Sequence, residues 1–113
     1  MEKWLNTTFE SSCSTTEQFT AFFKDIRLHI RKMLTGYKIL SFNKGHFYFS
    51  FFAQNLETKK IFYVMSDDVR YSINGWYKNL LIRTAKDDED YTGGSNCFTS
   101  LADLKEKADK LTQ

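Results

Sequence analysis

The residues best equipped for chemistry fall in one stretch, RTAKDDEDYTGGSN, at 83–96. It combines two cations, four consecutive acids, a tyrosine, a glycine pair, a serine and an asparagine. A phosphate-binding loop needs its glycines to run into Gly-Lys-Ser or Gly-Lys-Thr at a helix N-terminus. Gly93-Gly94-Ser95-Asn96 lacks the lysine, and the acids before it repel a triphosphate. A calcium loop needs alternating oxygen ligands, glycine at position six and glutamate at position twelve. Counted from Asp87, those positions hold Thr92 and Phe98. A looser divalent-ion site of Asp87, Glu89 and Asp90 is the metal chemistry this run still permits. Nucleophilic catalysis needs a nucleophile beside a base, and no local motif joins His29 or His46 to Cys13, Cys97 or a serine. The chain is therefore read as non-catalytic, with no metal and no cofactor.

A second use of the stretch is mechanical. Asp90 and Asn96 are suited to accept hydrogen bonds from nearby backbone amides. Gly93 and Gly94 supply backbone angles that other residues resist. Tyr91 would pin the loop to a sheet edge. Arg83 and Lys86 would pair with the acids that follow, and Asp67, Asp68 and Arg70 repeat the mixture upstream. Two readings follow: a structural clasp, or a clasp that presents Arg70, Arg83, Lys86 and Tyr91 to a partner.

The elements that must position this loop are legible from periodicity. In 14–36, Phe19, Phe22, Phe23, Ile26, Ile30, Met33 and Leu34 recur at three- and four-residue steps, one wide apolar stripe on a helix. Ser14 with Glu17, or Thr15 with Gln18, makes a capping box, and Gly36 ends the helix. From Tyr37 the period changes to two. YKILSF, HFYFSFFA, KIFYVMS and NLLIRTA read as strands within 37–85, with Asn43-Lys44-Gly45 and Asn74-Gly75 as turns. The loop is expected over 86–99. Ser100 with Asp103 then opens a helix over 100–112 with Leu101, Leu104, Ala108 and Leu111 inward. Residues 1–13 read as a lead-in whose Trp4, Leu5 and Phe9 either pack on the domain, the favoured reading, or await a partner. Consecutive strands with short turns give an antiparallel sheet of about four strands. The two helices cover one face, so the class is a two-layer α+β domain over 1–113.

Two surfaces follow from that arrangement. Lys24, Arg27 and Arg31 line the helix face opposite the apolar stripe, either simply solvated or contacting phosphates or an acidic protein. If the helices cover the Phe47, Phe49 and Phe51 face, then His46, Tyr48, Ser50 and Phe52 face outward. There, Tyr48, Phe52 and Tyr63 would stack bases or meet a protein, unless residues 1–13 cover them.

LLIRTAKDDEDYTGGSN, together with the upstream SDDVR, resembles short proteins of bacterial phages and mobile elements. That group carries no established activity, so the resemblance hands over no catalytic residue. It implies a bacterial cytoplasm and an accessory role, in which such proteins often bind host defence or replication machinery. The element order is also similar to double-stranded-RNA-binding domains. The chain departs from them at its last helix, whose first turn holds an aspartate where that family places lysines.

Composition is consistent with a binding role. The 113 residues include 11 Phe, 6 Tyr and 2 Trp, enough aromatic area to build a core without disulfide or metal support. A net charge of +2 excludes a strongly acidic mimic of DNA and does not by itself indicate nucleic acid. Two cysteines without zinc spacing fit a reducing cytoplasm. No apolar run reaches the roughly 18–20 residues of a membrane span, and the N-terminus has no export signal. The expected function is binding of a protein partner, for instance to inhibit host defence machinery, with nucleic-acid binding as the alternative.

Overall fold

The structure is a computed structural model that describes residues 16–70, 76–92 and 94–113. The capping residues Ser14 and Thr15, the 1–13 lead-in, the Asn74-Gly75 turn and Gly93 lie outside the described residues. Helix α1 spans Thr16–Met33. Strands β1 (Tyr37–Lys44), β2 (Phe49–Asn55), β3 (Ile61–Met65), β4 (Leu80–Ala85) and β5 (Cys97–Thr99) follow, and α2 spans Leu104–Leu111. A 3-10 turn, Trp76–Lys78, precedes β4.

The strands form one antiparallel meander in the order β1-β2-β3-β4-β5. The α+β class is as the periodicity indicates, but the sheet has five strands rather than about four. Residues 97–99, expected as the end of a loop, pair with β4 through Ile82 and Cys97, Leu81 and Phe98, and Leu80 and Thr99. Three residues are too few to show a period of two, so this strand exists by tertiary pairing. The acidic stretch is thus the hairpin loop between β4 and β5.

Register divides the sheet into two faces, because successive side chains on a strand point to opposite sides. Phe42, Phe51, Val64, Ile82 and Cys97 lie across the sheet on the helix-covered face. Phe19, Phe22, Ile26 and Ile30 of α1 and Leu101, Leu104 and Ala108 beside them join the same core. Burying each large apolar side chain contributes roughly 1.5–3 kcal/mol. The rings interlock: Phe42 stacks on Phe51 at 5.2 Å, and Phe22 meets Trp76 edge-on at 5.4 Å.

The far end of α2 is bolted to the β2–β3 hairpin. Asn55 Nδ2 donates to the buried Thr112 Oγ1 at 3.0 Å, and Thr58 Oγ1 donates to the Thr112 carbonyl at 2.7 Å. Tyr37 OH donates to Asp109 at 2.8 Å on the same side. At the start of α2, Ser100 Oγ accepts from the Asp103 amide at 3.1 Å, one turn before the helix proper.

The β1–β2 turn differs from the sequence reading. Asn43 and Lys44 belong to β1, and the turn runs from Gly45 to Tyr48, whose carbonyl accepts from the Gly45 amide at 2.8 Å. Phe47, not Gly45, takes the positive φ of 60°. Such a backbone is strained by about 1–3 kcal/mol for a non-glycine residue. Its ring is held by Phe19 at 5.3 Å and by the Arg70 guanidinium at 3.8 Å, which offsets that strain. Gly45 serves a different need: a Cβ there would sit 2.1 Å from the Tyr48 ring.

Candidate functional site: the tyrosine clasp on the second sheet face

The second face carries a row that crosses the sheet: Ser41 on β1, Phe52 on β2, Tyr63 on β3 and Arg83 on β4 are successive cross-strand partners. Phe52, Tyr63 and Arg83 are 0%, 6% and 3% exposed. Phe52 therefore does not face solvent as the alternation implied, and neither Phe52 nor Tyr63 is open to stack a base. The alternation placed them on the correct face but could not reveal that the face is covered. Burial pushes the Tyr63 phenol above its ordinary pKa.

Arg83 organises the loop above it. Its guanidinium lies 4.6 Å from the centre of the Tyr63 ring, a cation–π arrangement. Nη1 donates to the Thr84 carbonyl at 3.2 Å, and Nη2 donates to the Asp90 carbonyl. The expected pairing with acidic side chains is replaced by these carbonyl bonds. Arg83 is thus an inward clasp residue, and its burial removes it from the candidate contacts.

Asp90 behaves as its residue type indicates. Its carboxylate accepts from the Lys86 amide at 3.0 Å and from the Thr92 amide at 3.4 Å. Asp87 Oδ1 accepts from the Glu89 amide at 2.9 Å, a local turn of the same kind. Asn96 is exposed and makes no such bond among the described residues, contrary to expectation. Lys86, Asp87, Asp88 and Glu89 are exposed.

Gly94 has φ +78°, and a Cβ there would meet the Thr84 carbonyl oxygen at 2.6 Å. Both the angle and the approach exclude a side chain. Gly94→Ala is expected to destabilise the domain by at least about 1–2 kcal/mol from the backbone term, with more from the clash. Chemical denaturation of the two proteins measures it.

The clasp delivers Tyr91. Its ring meets Phe52 at 5.2 Å and Tyr63 at 5.7 Å, both edge-on, while 55% of the residue stays exposed. Asn43, which sequence reasoning assigned only to a turn, reaches the Tyr91 hydroxyl with Nδ2 at 3.5 Å. Tyr48, 36% exposed, directly precedes β2 and alternates with Ser50 and Phe52 toward this face. Nothing local in the sequence pairs residues 43, 48 and 91; only the sheet brings them together.

Arg70 serves another purpose. Nε and Nη2 bind both carboxylate oxygens of Asp68 at 3.0 and 2.7 Å, and the guanidinium covers Phe47. The Arg70 hydrogen bonds hold the Asp68 carboxyl below its ordinary pKa. A depressed folded pKa adds stability above the unfolded value and loses it as pH falls through the folded one. Stability should therefore drop as pH is lowered from about 4, and Asp68→Asn should flatten part of that slope. Urea unfolding between pH 2.5 and 6 measures both curves.

Among the described residues, no group of three His, Cys, Asp or Glu side chains is placed to hold a metal ion. No described helix is long and apolar enough to cross a membrane. The chain matches no protein-family model, no curated protein and no solved structure.

Proposed function

We propose that this chain is a non-catalytic binding protein that holds a protein partner against Tyr91, Tyr48 and the 86–92 loop. The observation that carries the reading is the state of Tyr91: its ring is braced by Phe52 and Tyr63, yet half of the residue is open to solvent. A tyrosine held in place loses little entropy on binding and offers both an apolar ring and a hydroxyl. Tyrosine is enriched in protein interfaces for that reason.

The exposed carboxylates Asp87, Asp88 and Glu89 form an acidic rim beside it. A partner with a basic patch complements that rim and is steered toward it. The mobile-element resemblance of the same segment suggests a bacterial host protein, of defence or replication, as the partner.

The test is capture from nuclease-treated bacterial lysate with the wild-type chain and with Tyr48→Ala/Tyr91→Ala as baits, read by mass spectrometry. A protein retained stoichiometrically by the first and lost by the second supports the reading. Equal retention by both baits refutes this surface.

A further inference from the structure

On a different side of the molecule, we propose that α1 and β1 together form a track for the phosphate backbone of a nucleic acid. The sequence alone offers three cations on the outer face of α1. The fold adds a fourth, Lys44, from β1, which runs back alongside the helix. Phe23 of α1 meets Phe42 of β1 at 5.3 Å, fixing the two elements side by side. Lys44 Nζ donates to Thr20 Oγ1 at 3.4 Å, so the end of β1 lies at the start of α1. Lys44, Lys24, Arg27 and Arg31 therefore make a strip on the helix-covered side, and all four are exposed.

From Thr20 to Arg31 the strip is one-signed: β1 contains no acid, and Asp25 is about 100° round the helix from Lys24, while Glu17, in line with Lys24, lies ahead of Thr20 in the first turn. From Thr20 to Arg31 the helix covers roughly 16 Å at 1.5 Å per residue, about five phosphate steps of one duplex strand at 3.4 Å each.

A line of cations without an apolar centre suits a repeating polyanion better than a protein, whose interfaces are centred on apolar side chains. Leu28 is exposed but lies beyond Lys24 from β1. Among the described residues no free aromatic platform faces the strip: Phe23 packs on Phe42, and the Tyr37 hydroxyl is held by Asp109 and Thr112. Contact is thus to phosphates and independent of base sequence.

The test is fluorescence anisotropy with labelled duplex and single-stranded DNA between 50 and 200 mM salt. Four phosphate contacts give a log–log salt slope of about −3.6 for duplex or −2.8 for a single strand. For duplex, that is a loss of about 150-fold across the range. Lys24→Glu/Arg27→Glu/Arg31→Glu should abolish binding, and Lys44→Glu, on the other element, should weaken it several-fold and make the duplex salt slope shallower by about 0.9. Lys78→Glu/Lys107→Glu/Lys110→Glu changes net charge by the same amount as the triple helix variant, in the groove beside α2, and should leave most binding intact. No binding at 50 mM salt, a flat salt response, or equal loss in the α2 control overturns the proposal. Binding of polyglutamate in place of DNA would reassign the strip to an acidic protein.

Discussion

Arg83→Ala is expected to lower the stability of the domain by about 3 kcal/mol. Three losses combine. The guanidinium leaves the Tyr63 ring, a contact worth about 0.5–2 kcal/mol. Its charge-assisted bonds to the Thr84 and Asp90 carbonyls disappear, at about 1.5–3 kcal/mol for such bonds. The truncation also leaves a void between the Tyr63 ring and the loop. These terms overlap, so their sum is an upper bound. For a domain of this size the melting temperature should fall by about 10–15 °C. Arg83→Lys should recover little, because one ammonium cannot reproduce the planar fork that reaches both carbonyls. Thermal unfolding of the three proteins measures this. Amide exchange at Lys86 and Thr92, whose N–H groups bind Asp90, shows whether the loop opens before the sheet does. A melting temperature unchanged in Arg83→Ala would show that the loop is not held from below.

Tyr91→Ala should behave in the opposite way. The ring is 55% exposed and contributes only edge contacts to Phe52 and Tyr63, so stability should fall by no more than about 1 kcal/mol. Affinity for the partner should fall by about 2 kcal/mol, the usual scale of an aromatic hot spot, which is roughly 30-fold. Tyr91→Phe should retain most of it, because the ring supplies the area and the bond from Asn43 is long, at 3.5 Å. Calorimetric titration of the captured partner against the three proteins separates these outcomes. The contrast between positions 83 and 91 is diagnostic: one is needed for the clasp to exist, the other for what the clasp presents.

The fold was largely legible because its elements are long and periodic. Phe19, Phe22, Ile26 and Ile30 mark the buried face of α1, and alternation assigns Phe49 and Phe51 to the covered side of β2. Legibility fails where structure is decided by distant partners. Cys97–Thr99 is a strand only because β4 offers it an edge. Phe47 takes a left-handed backbone because Phe19 and Arg70 grip its ring, while the neighbouring Gly45 is chosen for space. At the site, local chemistry foretold the Asp90 bonds, since a carboxylate in a turn finds nearby amides. It could not foretell that Arg83 points inward. The residue alternates correctly onto the second face, but an arginine there is expected at the surface until the loop is seen to cover it.

The most direct measurement is hydrogen exchange of the complex with its captured partner, peptide by peptide, against the free chain. Contact through the clasp requires new protection across 43–48 and 86–92, with α1 and α2 unchanged. Protection confined to either helix, with 86–92 exchanging as in the free protein, would contradict it.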